Sequence, residues 1–219
     1  MGSKTHTSTP LDAEIWANID RRLRTGDEDR WLSSRYAAPG DRQALVALYA
    51  YCWEVARVRL IVSEPTLGAI RFQWWRDALE EIACGEAPRA HDVVAALAAA
   101  VEDNRYGTDA LLTILEGYEA AFEASDRSRE PEALIARTAA RALDPDFADL
   151  DAIDRAAPDF AALRRGETPA GSRPPLRFAA AVRPAVAHFR LRKLYERPKP
   201  ASALARRLCV LKAVLTGIV

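Results

Sequence analysis

Apolar side chains recur at three- and four-residue intervals along most of this chain, a spacing typical of α-helices. The first run begins near Leu11. It comprises Ile15, Trp16, Ile19 and Leu23. A short second helix is predicted to open at Asp27. No convincing two-residue alternation, which would indicate half-buried strands, occurs in the sequence. The pattern therefore predicts an all-α fold.

The segment 42–62 is apolar on nearly every side. Its apolar positions include Leu45, Leu48, Tyr49, Cys52 and Val55. A helix without a polar face is usually buried among other helices, so this one is predicted to be central. Asp41, which follows the break Ala38-Pro39-Gly40, is its predicted N-cap. The next helix is predicted to cover 68–82 and to end at Gly85.

The second half of the chain has a less regular pattern. Helices are predicted over 91–101, 107–124 and 131–143, and two last ones over 176–195 and 201–218. Between 144 and 175, Asp, Pro and Gly become frequent, so we predict an irregular acidic segment with one helical turn near 156–164. The Ser/Thr-rich residues 1–10 are expected to be a disordered head. Residues 11–219 are expected to form a single helical domain.

Composition excludes some classes of function. At 219 residues and 49% apolar, the chain is long enough for one domain with a sizeable core. The 31 basic and 31 acidic residues balance, so no global field favours nucleic acid as a partner. The charge is uneven, however: 102–159 holds 15 acids and 6 bases, whereas 183–212 holds 9 bases and one acid. This asymmetry predicts two surfaces with different roles, or one surface that closes on the other.

The cysteines and the lengths of the apolar segments indicate the cellular compartment of the protein. The three cysteines are far apart and lack CxxC spacing, which argues against disulfides and zinc and fits a reducing compartment. The head has no apolar core of a signal peptide, and no window approaches the length of a spanning helix. We expect a cytoplasmic protein, with peripheral contact to the inner membrane left open.

Two motifs resemble a known family. LYAYC (48–52) resembles the LYAFC-type start of the first catalytic helix of the squalene/phytoene synthase family, and RFQWWRDAL (71–79) resembles its second signature, a WWR block. The longer run EVARVRLIVSEPTLGAIRFQWWRDAL (54–79) is similar to a subgroup that includes complex I assembly factors and bacterial homologues. The resemblance implies a helical bundle of the isoprenoid synthase type, somewhat truncated here, with a hydrophobic cavity.

The acids that this family uses for catalysis are missing. Its enzymes ionise an allylic diphosphate held by Mg²⁺, whose ligands are carboxylates one helical turn apart. Aligned without a gap, the first acidic motif falls on Ala56, Arg57 and Leu60, and Glu54 has Val58 four residues later. The second motif, of Gln-x-x-Asn-x-x-x-Asp character, has no counterpart between 118 and 219. We therefore predict no catalytic, cofactor-binding or metal-binding residues of the family type.

Other carboxylates do not replace these motifs. The acidic tract comprises Asp144, Asp146, Asp149, Asp151 and Asp154, and none of these is four residues from another. A solvated loop is the expected structure for such a run. Asp77 and Glu81 do share a helix face, but they follow the wrong signature.

The two signature helices supply the candidate ligand-cavity or signature residues. These are Tyr49, Glu54, Arg57, Arg59, Arg71, Gln73, Trp74, Trp75 and Arg76. Trp74 and Trp75 point about 100° apart and are predicted to pack between neighbouring helices, and Arg76 is predicted to pair with Glu80. Arg57 and Arg59 are expected to find partners in Glu54, Glu64 or the acidic tract. The alternative is a cavity whose arginines bind an anion, such as a diphosphate, without turnover.

The C-terminal segment 201–219 is amphipathic. Leu204, Leu208, Leu211 and Leu215 are predicted to lie on one face, opposite Arg206, Arg207 and Lys212. Packing against the bundle is the favoured interpretation, and a basic interfacial helix on anionic lipid is the alternative.

Three functional hypotheses follow. The leading one is a non-catalytic binding or complex I assembly-type factor at the membrane surface, with a membrane-surface or respiratory-chain protein as partner and no cofactor. The alternative is a prenyltransferase acting on isoprenoid diphosphates, for which Mg²⁺ would be required. The third is a structural helical domain whose cavity has filled in. An isoprenoid diphosphate or a lipid is the small ligand that the resemblance implies.

Overall fold

A computed structural model of the protein describes residues 11–62, 64–169 and 174–219. Within these ranges the regular structure is helical, apart from one isolated antiparallel bridge between Arg177 and Ile218. The predicted all-α class is confirmed. The predicted disordered head, 1–10, lies outside the described residues.

The described part of the first half contains five helices in this order: α1 Ala13–Gly26, α2 Glu28–Ser34, α3 Pro39–Ala56, α4 Val58–Ile61 and α5 Pro65–Ala83. The second half contributes α6 Asp92–Glu102, α7 Thr108–Glu123, α8 Glu132–Leu143, α9 Leu150–Arg164, α10 Arg183–Val186, α11 Arg192–Tyr195 and α12 Ala203–Thr216. Two 3₁₀ turns lie at Arg127–Arg129 and Ala187–Leu191.

Helix α3 is the centre of the fold, as its apolar pattern predicts. It packs against α1, α6 and α8, and Tyr49, Tyr51 and Cys52 are fully buried on it. Ala38, and not Asp41, is its N-cap. Because Pro39 occupies the first helical position, where its missing N–H costs nothing, the helix starts three residues earlier than Asp41 would have set it.

Helix α3 ends before the predicted boundary. Arg57 has φ −78° and ψ −7°, so the backbone turns there and the short α4 begins at Val58. Helix α5 then crosses α7 closely: a Cβ atom added to Gly68 would lie 2.4 Å from the ring of Phe122. The missing side chain of this glycine therefore lets the two helices approach.

Within the described residues 144–169, the acidic segment is more ordered than predicted. It contains α9, which is capped by the Asp149 carboxylate accepting from the Ala152 N–H and includes Pro158. An apolar face drives the helix: Ala152, Ile153, Ala156, Ala157 and Phe160 are buried. The solvated-loop interpretation is wrong for Asp154, which binds Arg137 of α8.

The predicted helix 176–195 is also wrong. Pro184, in its middle, has no N–H to donate and can only start a helix, so α10 begins beside it. The residues before it form an extended stretch that pairs with the end of the chain, since the Phe178 N–H donates to the Gly217 carbonyl and the Val219 N–H donates to the Leu176 carbonyl.

Candidate functional site

A cavity of about 820 Å³ lies where α3 ends, between α5 and α7. We call it the apolar chamber. Its apolar lining includes Val55, Val62, Pro65, Ala69, Phe72 and Phe122. Side chains from the first turn of α5 and the end of α7 form two of its walls, and their separation is set by the contact at Gly68. The volume falls in the range of small-molecule sites.

A smaller cavity of about 200 Å³ adjoins the chamber. We call it the arginine cleft, because its lining includes Arg30, Arg57, Arg59, Arg127, Arg164 and Arg165. Three acids, Asp27, Glu130 and Glu132, also line it. Both cavities share Arg59, Arg127 and Glu130. The chamber lining is mainly apolar but also includes Glu64, Glu119, Glu123 and Glu130, whereas arginines outnumber acids in the cleft lining.

Arg57 and Arg59 each have a carboxylate partner, as predicted. Arg57 lies over the ring of Trp53 at 4.6 Å and its Nη1 is 3.4 Å from Glu54 Oε2. Arg59 binds Glu130, which follows the 3₁₀ turn 127–129 and was not among the predicted partners. Burial lowers the pKa of Arg59, and Glu130 offsets part of that effect.

A buried ionic network forms the floor of the arginine cleft. Arg30 Nη1 lies 3.0 Å from Asp27 Oδ2, and its Nη2 lies 2.5 Å from Glu132 Oε2. Arg164 reaches the same Asp27 oxygen at 3.0 Å. Burial alone would raise the pKa of Asp27, but Arg164 and Arg30 outweigh it and hold that pKa at about 2. Asp27 is thus a permanent anion between two guanidinium groups.

Candidate Tyr49 supports this network from α3. Its ring faces the Arg30 guanidinium at 5.6 Å, and its hydroxyl donates to the Ala185 carbonyl at 3.0 Å. Burial raises its pKa well above the usual value, so the hydroxyl stays protonated. Tyr49 therefore contacts Arg30 and is not among the described lining residues of either cavity.

The signature residues of α5 pack against neighbouring residues or lie exposed. Trp75 is buried against Tyr51, with ring centroids 5.3 Å apart, and Trp74 lies against Arg89 at 5.3 Å. Arg76 Nη2 binds Glu119 of α7 at 2.6 Å, in place of the predicted pair with Glu80. The exposed Gln73 donates to Asp77 at 2.6 Å, and Arg71 is exposed. None of these five residues is among the described lining residues of either cavity.

Several residues of the cleft were not predicted from sequence. Asp27, Arg30, Glu132 and Arg164 come from α1–α2, α8 and α9, so no local motif unites them. The one visible signal is the run Asp27-Glu28-Asp29-Arg30 directly before Trp31 and Leu32, because four charges beside an apolar pair predict buried ion pairs.

The donor set of this site does not fit Mg²⁺. Glu54, Glu130, Glu132 and Asp27 are each within ion-pair distance of an arginine. Over the described ranges, no group of three or more His, Cys, Asp or Glu side chains is arranged to hold a metal ion. A divalent cation needs several free oxygen ligands, and here those oxygens already neutralise guanidinium groups.

Comparisons with known proteins place the chain in a family. The family model for squalene/phytoene synthase matches residues 23–154. NADH dehydrogenase (ubiquinone) complex I, assembly factor 6, of Homo sapiens is 37% identical over 66 residues, which are 30% of this chain and 20% of that protein. The same-named protein of Rattus norvegicus is 36% identical over 66 residues with the same shares. The match thus spans about a fifth of the length of these curated relatives.

No solved structure matches this chain. In the described ranges, every helix is too short or too polar to cross a bilayer. Because the family model covers more than half of the 219 residues, this chain belongs to the squalene/phytoene synthase family.

Proposed function

We propose that this protein is a non-catalytic member of its family and acts as a binding or assembly factor for respiratory complex I at the membrane surface. The observation that carries the proposal is the lining of the arginine cleft. There, the positions that correspond to the family's first acidic motif are Ala56, Arg57 and Leu60, and the neighbouring Arg59 is paired with Glu130.

The charges that line the arginine cleft support a binding role over catalysis. Ionisation of an allylic diphosphate needs divalent cations that neutralise the leaving group. The cleft presents six arginines and three acids, a balance that attracts anions and repels Mg²⁺. Such a site can hold an anionic group without supplying the metal that breaks its bond.

The curated relatives support the choice of partner. Both are named as assembly factors of complex I, and the shared 66 residues are 37% and 36% identical. An assembly role requires a protein surface and a stable fold, and it does not require metal ligands. Because no metal has to be bound in such a role, carboxylates such as Asp27, Glu130 and Glu132 can pair with arginines.

The proposal is tested in cells from which the gene for this chain has been deleted. We expect less assembled complex I on native gels and less NADH:quinone oxidoreductase activity in their membranes, with succinate dehydrogenase unchanged as the control. Re-expression of the wild-type chain restores both. Normal complex I in the deletion strain would refute the assembly role.

One observation favours the prenyltransferase alternative. The apolar chamber and the arginine cleft share the lining residues Arg59, Arg127 and Glu130, and an apolar cavity beside a basic one suits a ligand with a hydrocarbon chain and a diphosphate head. Under this alternative Mg²⁺ would have to be recruited by the diphosphate itself, since the donor set described above does not fit the ion. Pyrophosphate release from farnesyl diphosphate in the presence of Mg²⁺ separates the two functions.

A further inference from the structure

Helix α12 exposes a stripe of leucines. Leu204, Leu208 and Leu215 are 65%, 55% and 69% exposed. With the half-buried Leu211 they follow spacings of four, three and four residues, so they lie along one face of the helix. Helix α12 packs against the bundle as predicted, but not through these leucines.

The opposite face of α12 holds the helix in place. Val210 and Ala213 are buried, and the Cys209 thiol donates to the Arg190 carbonyl at 3.4 Å. Arg206 binds Asp29 and Glu28 of α2, and Arg183 donates to the Val214 carbonyl at 3.0 Å. Because these contacts fix the rotation of α12 about its axis, its leucines cannot turn inward.

Cations flank the stripe on both sides. At 100° per residue, Arg207 lies beside one edge of the leucine stripe and Lys212 beside the other, and both are exposed. Neither has an ion pair within the described residues. Lys193 and Arg197, also exposed, lie close enough to α12 to act on the Cys209 thiol. Between 183 and 212 the one acid is Glu196.

We infer that this outer face of α12 docks on an anionic lipid bilayer, with the leucines in the acyl boundary and Arg207 and Lys212 on the headgroup phosphates. A narrow apolar stripe bordered by cations is the pattern of an interfacial helix, and long basic side chains reach the headgroups while their stems cover apolar surface. A second copy of this chain would bring cations against cations. Charge complementarity therefore selects anionic lipid.

The inference deepens the membrane-surface part of the proposed function by naming the surface and the lipid class. It rests on that part alone, so the test uses purified full-length chain and vesicles and does not depend on complex I. The probe is co-sedimentation with vesicles of phosphatidylcholine, with and without about 30% phosphatidylglycerol, because each basic residue near an anionic surface strengthens binding about fivefold.

We expect binding to the anionic vesicles at least tenfold tighter than to the neutral ones, and weaker binding as salt rises. The triple variant Leu204→Ser, Leu208→Ser, Leu215→Ser should lose at least tenfold, and Arg207→Gln with Lys212→Gln should lose a similar factor. The matched control is Ile61→Ser with Leu67→Ser and Ile70→Ser, which removes exposed apolar side chains from α4 and α5 and should bind as wild type.

Several outcomes would overturn the inference. One is absence of wild-type binding, and another is equal binding to both vesicle types. A third is retention of binding by a triple variant whose thermal unfolding matches wild type. Concentration-dependent self-association that the leucine substitutions abolish would assign the stripe to a second copy instead.

Discussion

Arg59 of α4 pairs with Glu130, which lies 71 residues later in the chain, and both side chains line the apolar chamber and the arginine cleft. Glu130 also accepts from Arg127 at 3.3 Å. One carboxylate therefore holds the short helix after α3 to the 3₁₀ turn before α8. The junction of the two cavities depends on a contact between segments that the sequence separates widely.

Replacement of Glu130 by Gln is expected to destabilise the fold. The side chain of Glu130 is 8% exposed, and its loss of charge leaves Arg59 and Arg127 without their partner. We expect the free energy of unfolding in urea to fall by about 1–3 kcal/mol. The control, Glu86→Gln, changes an exposed side chain and should shift it by less than about 0.5 kcal/mol. Equal effects of the two changes would contradict this account of Glu130.

Asp27 should make stability depend on acid pH. Its folded-state pKa is about 2, against a reference value of 3.8. Because the folded value is the lower one, the stabilisation is present above pH 3.8 and is lost as the pH falls through about 2. The difference corresponds to about 2 kcal/mol.

The measurement is the free energy of unfolding between pH 6 and about 2. Asp27→Asn should lower it by about 3 kcal/mol near neutral pH and should lose less on acidification than wild type. Asp146→Asn, at an exposed position, should keep the wild-type profile. An Asp27→Asn profile parallel to wild type would remove Asp27 as the cause.

The adjacent tryptophans of α5 are expected to differ in their contributions. Trp75 is buried against Tyr51, whereas Trp74 is half-buried and lies against Arg89 and His91. Trp75→Ala should lower the free energy of unfolding by about 3–5 kcal/mol and Trp74→Ala by about 1–2 kcal/mol. Chemical denaturation of the two variants measures both changes. A larger loss of unfolding free energy in Trp74→Ala would mean that Trp74, and not Trp75, is the core side chain.

Sequence patterns predicted the core helices because their apolar residues are local. The central position of α3 follows from its lack of a polar face, and the packing of Trp75 follows from helical geometry, which points Trp74 and Trp75 about 100° apart. Helix α9 was predicted only as one turn near 156–164 because Asp and Pro158 suggested a loop, although Ala152, Ile153 and Phe160 supply an apolar face. Tertiary burial there outweighs local propensity.

The arginine cleft could be predicted only in part. The partner of Arg57 is Glu54, three residues earlier at the end of α3, and the i,i+3 spacing of helices predicts such a pair. Asp27 and Arg164 are 137 residues apart, and their contact depends on how α8 and α9 pack against α1–α2. No periodicity in the chain encodes such a pair.

The last prediction concerns turnover. Farnesyl diphosphate incubated with purified protein and Mg²⁺ should release no pyrophosphate. Loss of metal-mediated charge stabilisation forfeits several kcal/mol of barrier lowering, and Arg57 adds a positive charge where the family motif has an acid. Mg²⁺-dependent release that a Glu54→Gln substitution in α3 abolishes would overturn the prediction and favour the prenyltransferase.

Binding without turnover is compatible with the same cleft and can be measured separately. Calorimetric titration with farnesyl diphosphate in EDTA reports any affinity that comes from arginines alone. Arg127→Gln, which removes a lining guanidinium, should weaken that affinity about tenfold. Arg129→Gln, in the same 3₁₀ turn but outside the cavity linings described, should leave it unchanged. Equal losses in both variants would mean that net charge, and not the cleft, attracts the diphosphate.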